Sequence, residues 1–288
     1  MDEKEIDAII IKLGIKAPDT NNDLSPSYKF NLMFDTSIGP NGNLKGFLRP
    51  ETAQGHFVNF RKLLEFNGGK IPFASGSIGL GFRNEISPRS GLLRVREFTM
   101  GEIEHYVDPQ NKNHKKFNSV KDMKLPLWTK KDQKEGKSVV VDLTLEKAVE
   151  GKTIDNQTLA YFLARTYEFL LKIGIKKEAL RFRQHTEKEM AHYASDCWDA
   201  EIETSYGWIE VAGHADRHCF DLTQHTKFSG VELSASRLLP QPVMKKVIKA
   251  SMNKVNLNLN QKIIYNIFTL LLCRVQSLRN LKKKIKLL

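Results

Sequence analysis

Cysteines are few in this sequence, and long uninterrupted apolar runs are missing. The three cysteines, Cys197, Cys219 and Cys273, form no C-x-x-C pair, which excludes a disulfide framework and a four-thiolate zinc site and favours a reducing, intracellular compartment. The longest apolar run, 263–273, is interrupted by Asn266 and falls short of the ~18 residues that a membrane span requires. The first five residues are mostly acidic, whereas targeting peptides are basic, so no targeting segment is expected.

Acidic residues are missing from the segment 245–288, where eleven Lys and Arg account for most of the net charge of +12. Without that segment the chain holds 34 basic residues (45 less 11) and 33 acidic ones, a net charge of +1. The body of the protein therefore has almost no net attraction for phosphate, and any RNA-binding surface on it must be a local patch.

Hydrophobic periodicity and turn signals divide the chain into three parts. Residues 1–26 predict a short helix and a linker, 27–240 predict one mixed domain, and 241–288 form a basic tail. Within the domain, the polar, lysine-rich stretch 110–150 is interpreted as a surface insertion. Strand-like segments flank single long helices without a βαβ rhythm, so we expect an α+β fold with an antiparallel sheet flanked by helices.

Local signals place several elements of this domain. A strand-like stretch leads to a Gly-Pro-Asn-Gly turn at 39–42. An Asx cap at 155–156 predicts a helix that runs to about Leu171. The segments 180–185 and 207–212 predict further strands.

The stretch 82–108 predicts two long paired strands joined by a Pro- and Gly-containing turn at 87–91. Charged residues of both signs then converge beside an aromatic ring. A solvated strand face is the simple interpretation. The residue types favour a bound nucleotide instead, because Arg83 can bond a phosphate bidentately, Glu85 can accept from an exocyclic amine, and Phe98 can stack on a base.

At these residues the chain resembles a known family. The strings Phe-Arg-Asn-Glu at 82–85 and Arg-Val-Arg-Glu-Phe at 94–98 resemble motif 2 of the class II aminoacyl-tRNA synthetases. Further strings are similar to the eukaryotic and archaeal type of glycyl-tRNA synthetase; they lie at 48–55, 82–106, 180–185, 189–193, 197–200 and 205–210. The resemblance covers about residues 5–240 and implies a class II catalytic domain with an antiparallel sheet.

The resemblance implies a site for ATP. Arg83 would hold the α-phosphate and stabilise its charge during in-line attack, and Arg94 would hold the γ-phosphate of a bent ATP. Glu85 would bind the adenine amino group while Phe98 stacks on the ring. The residues implied to line the same ATP site are Asn84, Val95, Glu210 and Val211.

The resemblance also implies a magnesium ligand and a glycine site. Glu210 would bind Mg²⁺, which prefers one or two carboxylates together with phosphate oxygens. Glu51 and Glu102 would hold the glycine ammonium group, while the pocket walls exclude larger amino acids. No protein nucleophile is needed for adenylate formation.

The implied function is that of a glycine–tRNA ligase, with ATP, Mg²⁺, glycine and tRNA(Gly) as cofactors and substrates. Motif 1, which builds the family's homodimer interface, motif 3 and the anticodon-binding domain have no match in this sequence. We therefore expect an incomplete catalytic core whose dimerisation is in doubt. The alternative is an inactive synthetase-like module that binds ATP or RNA. The expected location is the cytoplasm, with a mitochondrial pool left open.

The tail from about 241 does not match the family and is built mainly from Asn, Lys, Ile and Leu. These residues are encoded by AT-rich codons, which suggests intron read-through, a frame error or a degenerated gene end. The alternative is a functional basic amphipathic segment that attracts RNA or an anionic membrane.

Two other patterns have simple interpretations. The histidines and cysteines between 185 and 219 suggest a metal-dependent hydrolase only weakly, because His214-x-x-x-His218 contains no H-E-x-x-H glutamate; we interpret them as structural or surface residues. Gly79-Leu-Gly81 lacks the third glycine and the following helix of a nucleotide-binding loop.

Overall fold

The structure is a computed structural model and describes residues 2–86, 88, 91–138 and 141–236. The predicted tail, its boundary at 240 and most of the predicted 87–91 turn lie outside the described residues.

The helices in chain order are α1 (Glu3–Leu13), α2 (Ala53–Val58), α3 (Phe60–Phe66), α4 (Lys130–Lys134), α5 (Leu145–Glu150), α6 (Gln157–Lys172) and α7 (Phe220–Ser229). The strands are β1 (Asp35–Ile38), β2 (Leu44–Phe47), β3 (Phe73–Phe82), β4 (Glu97–Tyr106), β5 (Lys124–Trp128), β6 (Val141–Thr144), β7 (Leu180–Gln184), β8 (Asp196–Thr204) and β9 (Gly207–Asp216).

The chain divides into two units, each built from two stretches of sequence. Unit 1 comprises 1–54 and 76–103, and unit 2 comprises 55–75 and the described residues from 104 onward. None of the helices in the described part of the chain has the length and apolar character that crossing a bilayer requires.

Unit 1 begins with the predicted N-terminal helix. Asp2 caps α1 through a capping box with Glu5, and Gly14 ends the helix at a positive φ of 60°. The turn at 39–42 connects β1 and β2, which pair antiparallel with Ile38 opposite Leu44. These predictions of a helix and a turn are confirmed.

The rest of unit 1 is a two-stranded ribbon of β3 and β4. A Cβ on Gly81 would approach Phe98 and one on Gly76 would approach Ile103, so the strands run in opposite directions. The prediction that the first strand begins at Phe82 is wrong, because β3 ends there. Its glycines hide the strand, since glycine has low β-propensity and contributes no side chain to the alternation.

Consequently Arg83, Glu85, Arg94 and Arg96 do not lie on paired strands as predicted. They lie in the connection between β3 and β4, beside a short 3₁₀ turn at 91–93. A connection can project polar groups in more directions than a strand can, which suits ligand binding.

Unit 2 contains a five-stranded sheet in the order β6-β5-β7-β8-β9. Neighbouring strands pair antiparallel except β5 and β7, which pair parallel with Leu127 opposite Phe182. The predicted α+β fold with a mainly antiparallel sheet is confirmed. The strands predicted at 180–185 and 207–212 correspond to β7 and β9.

Helix α6 covers one face of this sheet. Its N-cap is Asn156, whose side chain accepts a hydrogen bond from the backbone N–H of Leu159, as the sequence predicted. The buried residues of α6 recur with helical spacing and pack with the sheet in one core. The buried core residues are Phe117, Val120, Leu125, Leu127, Leu145, Ala148, Ile154, Leu159, Ala160, Leu163, Ala164, Tyr167, Leu170, Leu180, Phe182, Trp198 and Ala200.

The interpretation of 110–150 as a surface insertion is wrong. Leu125 and Leu127 on β5 and Leu145 on α5 are fully buried in the core of unit 2. Only Pro126 separates Leu125 from Leu127, and the many lysines elsewhere in the stretch conceal this short strand alternation. The segment supplies two strands to the sheet and belongs to the core.

Candidate functional site

Eight of the ten predicted site residues belong to unit 1, where they lie on the ribbon, on its connection and on the step 49–52. They are Glu51, Arg83, Asn84, Glu85, Arg94, Val95, Phe98 and Glu102. The other two, Glu210 and Val211, lie on β9 in unit 2.

Arg83 and Phe98 are brought together at the base of the connection. The guanidinium carbon of Arg83 lies over the Phe98 ring, 5.2 Å from its centroid, in a cation–π arrangement. The backbone N–H of Arg83 donates to the carbonyl of Arg96 at 2.9 Å, and its Nε donates to the carbonyl of Pro50 at 3.2 Å. These two bonds hold the backbone N–H and the Nε of Arg83 in place. The rest of its exposed guanidinium group offers further N–H donors for an anion.

Gly81 makes room for the Phe98 ring. A Cβ at this position would lie 3.0 Å from two ring carbons and 3.1 Å from Met100 Sδ. A side chain here would displace the aromatic surface. The Gly79-Leu-Gly81 pattern is therefore part of a strand with close side-chain approaches.

Asn84 is used to anchor another segment of unit 1. Its backbone N–H donates to the carbonyl of Leu32 at 2.9 Å, and its side-chain Nδ2 donates to the carbonyl of Asn31 at 3.0 Å. Glu85 and Val95 are half-buried in the same connection, and Arg94 is exposed. Asn84 thus contributes to the shape of the connection through bonds to the backbone of 31–32.

Glu102 is held by Thr52, a residue that the sequence analysis missed. The backbone N–H and the hydroxyl of Thr52 both donate to Glu102 Oε2, at 3.0 and 2.8 Å. Thr52 is 6% exposed and Glu102 is half-buried, so the Thr52 side of the pair is shielded from water. Because the two residues are 50 positions apart, no local spacing reveals the contact.

The second predicted glycine ligand, Glu51, precedes Thr52 directly. Its Oε1 accepts a hydrogen bond from Gln54 Nε2 at 2.9 Å. The fold therefore places the Glu51–Thr52 step beside Glu102 within unit 1, through the two bonds from Thr52.

The 49–52 step is also bonded to β3. Arg49 Nε donates to the carbonyl of Leu80 at 2.8 Å, and the backbone N–H of Phe82 donates to the carbonyl of Arg49 at 2.8 Å. Gly79 permits this approach, because a Cβ there would lie 2.8 Å from Arg49 Nη2 and 3.3 Å from Thr52 Cγ2. The step carrying Glu51 and the ribbon carrying Glu102 are therefore joined by several bonds.

In unit 2, Glu210 lies on the polar face of the sheet, opposite Glu201 on β8. Val211 is the extra residue of a bulge between β8 and β9, and it is exposed. A Cβ on Gly213 would lie 3.6 Å from Glu210 Oε1 and 3.9 Å from Asp199 Oδ1. Two carboxylates therefore lie close to Gly213, with oxygen atoms that suit a cation.

A network of ion pairs occupies the rest of this polar face. Arg181 Nε donates to Glu201 Oε2 at 2.7 Å, and its guanidinium lies between the rings of Trp128 and Trp208, 4.2 and 4.1 Å from their centroids. Arg183 donates to the carboxylates of Glu201, Asp199 and Glu189. The face thus keeps its buried charges paired.

The histidines in this region have different environments. His214 contacts the Thr166 hydroxyl through Nε2 at 2.7 Å and the Trp198 carbonyl through Nδ1 at 3.3 Å, and burial lowers its pKa to about 4. His192 packs on Phe220. These contacts are structural. By contrast, His185 lies beside Cys197 and Asp199.

Comparison with known proteins gives a consistent result. The family described as tRNA synthetase class II core domain (G, H, P, S and T) matches residues 34–192, more than half of the chain. A glycine–tRNA ligase of Caenorhabditis elegans is 56% identical over 252 residues, which are 88% of this chain and 34% of that protein.

Two further relatives extend this similarity. Glycine–tRNA ligase 2 of Saccharomyces cerevisiae is 57% identical over 239 residues, 83% of this chain and 39% of that protein. A putative cytoplasmic glycine–tRNA ligase of Arabidopsis thaliana is 52% identical over 228 residues, 79% of this chain and 49% of that protein. The chain spans between a third and a half of the length of these three relatives.

Proposed function

Since the chain belongs to the family of class II tRNA synthetase core domains, we propose that it carries the glycine-activating site of a glycine–tRNA ligase. The proposed reaction joins glycine and ATP to give glycyl-adenylate and pyrophosphate, followed by transfer of glycine to tRNA(Gly). The single observation that carries the proposal is the arrangement in unit 1, where Arg83 lies on Phe98 and Thr52 binds Glu102.

We propose that the phosphates of ATP are bound mainly by electrostatic interactions. Arg83 would donate to the α-phosphate, where negative charge increases as the glycine carboxylate attacks, and Arg94 would hold the γ-phosphate. The bond from Arg83 Nε to the Pro50 carbonyl supports this role, because it uses one donor and leaves the terminal nitrogens for the phosphate.

Adenine recognition would use the other groups of the connection. Phe98 would stack on the base, with the Arg83 guanidinium over one face of its ring and the base on the other. Glu85 would accept from the exocyclic amine, while Asn84 and Val95 would shape the pocket wall.

Glycine recognition would rest on Glu51 and Glu102. The ammonium group of glycine needs hydrogen-bond acceptors, and two carboxylates can bind it. Because glycine has no side chain, the ammonium group is the part of it that the protein can bind in this way. Both Thr52 bonds go to Oε2 of Glu102, which leaves Oε1 available for the ammonium group. Larger amino acids would be excluded because their side chains clash with the walls of the glycine pocket, and not because they lose contacts with the two carboxylates.

Mg²⁺ fits the oxygen-rich surroundings of Glu210, whose carboxylate lies near that of Asp199 above Gly213. When bound there, the ion would neutralise phosphate charge. Glu210 is the residue proposed to hold it, and Val211 is proposed to approach ATP from the bulge beside it. As partner we propose tRNA(Gly), while the family's homodimer stays in doubt for this chain because motif 1 has no match. As location we propose the cytoplasm, with a mitochondrial pool left open.

The test is glycine-dependent exchange of labelled pyrophosphate into ATP by the purified 288-residue chain. We expect exchange that requires glycine and is not supported by alanine. Binding of ATP without exchange would favour the alternative, a synthetase-like binding module. Absence of both would reject catalysis and binding by this chain and leave its family membership intact.

A further inference from the structure

His185, Cys197 and Asp199 form a cluster on the polar face of the unit 2 sheet. One ring nitrogen of His185, Cys197 Sγ and a carboxylate oxygen of Asp199 all lie within 4.8 Å of one another. Cys197 and Asp199 alternate on β8 and so share a face. His185 follows β7, and its backbone N–H donates to the carbonyl of Cys197 at 2.9 Å, which holds the imidazole beside the thiol.

The hydrogen bonds of this cluster leave ligand atoms unused. His185 Nε2 contacts Asp199 Oδ2 at 2.7 Å, while its Nδ1 is buried and has no hydrogen-bond partner within the described residues. The two ring nitrogens of His185 point in opposite directions, so an ion that is shared with Asp199 binds at Nε2, in the place of the proton of that hydrogen bond. The hydrogen bonds seen at Asp199 go to Oδ2, whereas Oδ1 lies toward Gly213.

The charges around the cluster favour a divalent cation. The carboxylates that pair with one another's arginines or lie beside the cluster belong to Glu189, Asp199, Glu201 and Glu210, and the two guanidinium groups belong to Arg181 and Arg183. The difference is two negative charges.

We propose that His185, Cys197 and Asp199 form a binding site for a divalent metal ion of the zinc class. Imidazole, thiolate and carboxylate are ligands that Zn²⁺ combines, whereas Mg²⁺ takes oxygen ligands and does not seek sulfur. A tetrahedral ion holds its ligand atoms about 3.5 Å apart, so side-chain adjustments of about 1 Å complete the site. This proposal concerns a different ion from the Mg²⁺ of the proposed reaction and does not depend on that reaction.

Arg183 does not prevent binding of the ion. Its Nη2 contacts Asp199 Oδ2 at 3.1 Å, and its other nitrogens pair with Glu201 and Glu189. An ion at Oδ1 leaves those pairs in place.

The experiment is a titration of the purified, metal-free 288-residue chain with Co²⁺, a coloured substitute for Zn²⁺, without ATP or glycine. We expect one ion per chain, with the absorption of a cobalt–thiolate bond, and displacement of Co²⁺ by Zn²⁺ but not by millimolar Mg²⁺. Cys197→Ser removes the thiolate band and weakens binding by about 100-fold or more. Substitution of a residue that only hydrogen-bonds to a metal ligand already costs about 10–100-fold in affinity, and loss of a ligand costs at least as much.

The matched control is the double variant Cys219→Ser/Cys273→Ser, which keeps Cys197 as the single thiol and retains the band. Circular dichroism verifies that each variant is folded. If Cys197→Ser does not fold, His185→Gln carries the same prediction for affinity, because His185 is only partly buried. Failure of the unmodified chain to bind Co²⁺, or an unchanged spectrum in the Cys197 or His185 variant, overturns the proposal.

Discussion

At the scale of single residues, Thr52 has the clearest role that the structure adds. Its backbone N–H and hydroxyl both bind Glu102 Oε2, and the side chain is buried. A carboxylate held in this way keeps one orientation for a ligand, which lowers the entropic cost of binding.

We expect Thr52→Val to raise the KM for glycine about tenfold in the pyrophosphate-exchange assay, because a hydrogen bond to a charged group is worth about 1.5–3 kcal/mol. Thr52→Ser keeps the hydroxyl and should restore most of the affinity. The KM for ATP should change little. An equal rise in both KM values would point to general damage instead of a loosened Glu102.

The sequence predicted residue types for the candidate site but did not predict how these residues contact one another. Motif 2 indicated Arg83 and Phe98 as partners in one site, and the structure places the guanidinium over the ring. Their roles toward ATP stay predictions. The contact between Thr52 and Glu102 was not predictable, since it depends on how the 49–52 step docks on the ribbon.

At the scale of elements, the β3–β4 ribbon depends on glycines that accept close side chains. A Cβ on Gly79 would contact Arg49 and Thr52. A Cβ on Gly101 in β4 would have no heavy atom within 4 Å, apart from those of Gly101 itself and of its two neighbours in the chain. The two positions therefore form a matched pair in one ribbon.

We expect Gly79→Ala to lower the free energy of unfolding by about 1 kcal/mol, because the added methyl group crowds Thr52 Cγ2 and the Arg49 guanidinium, whose Nε is bonded to the Leu80 carbonyl. Gly101→Ala should be neutral or slightly stabilising, since alanine loses less backbone entropy on folding. Chemical denaturation of the two variants measures the difference. Equal effects at both positions would contradict the close approach at Gly79.

The cap of α6 gives a second prediction at this scale. Asn156 Oδ1 accepts from the backbone N–H of Leu159 at 3.0 Å, and Nδ2 donates to Asp216 Oδ2 at 2.7 Å. Asn156→Ala should cost about 1–2 kcal/mol of stability by thermal or urea unfolding. Exposed Asn113 is the control, and Asn113→Ala should cost much less. A similar cost for both would show that the cap does not stabilise α6.

Elements with strong local signals were predictable, and those without them were not. The capped helix α6 and the turn at 39–42 follow from residue types whose preferences act locally. Strand β3 was missed because three of its ten residues are glycine, which has low β-propensity, although Ile78, Leu80 and Phe82 alternate in it. The core role of Leu125 and Leu127 on β5 was missed because lysines dominate the composition around them.

At the scale of the whole molecule, several histidines are enclosed as neutral groups. Burial lowers the pKa of His214 to about 4 and also lowers the pKa of His105 and of His114. In the unfolded chain these groups titrate near 6.5. The contribution of neutral His214 to stability is therefore complete above about pH 6.5 and is lost as the pH falls toward 4.

We expect the free energy of unfolding to fall by about 2 kcal/mol between pH 7.5 and pH 5 from His214 alone, because the unfolded chain binds the proton first. Urea denaturation at the two pH values measures this change. In His214→Gln, which keeps polar atoms near Thr166 and Trp198, the pH dependence should be smaller. A pH dependence that is unaltered by this substitution would contradict the neutral, enclosed His214.

The fold class of the whole molecule could be predicted from the sequence, but its division into two units could not. The α+β fold followed from the order of helical and strand-like segments, whereas the interleaving of 1–54 with 76–103 in unit 1 depends on contacts between distant segments. We propose that unit 1 binds glycyl-adenylate through Arg83 and Glu102.

Calorimetric titration with a non-hydrolysable glycyl-adenylate analogue tests this claim most directly. We predict one site per chain, weakened by about tenfold or more in Arg83→Ala and in Glu102→Gln, since each removes a charged hydrogen-bonding group. Arg61→Ala, at an exposed position on α3, should bind like the unmodified chain. No binding by the unmodified chain, or equal affinity in all three variants, would contradict the account.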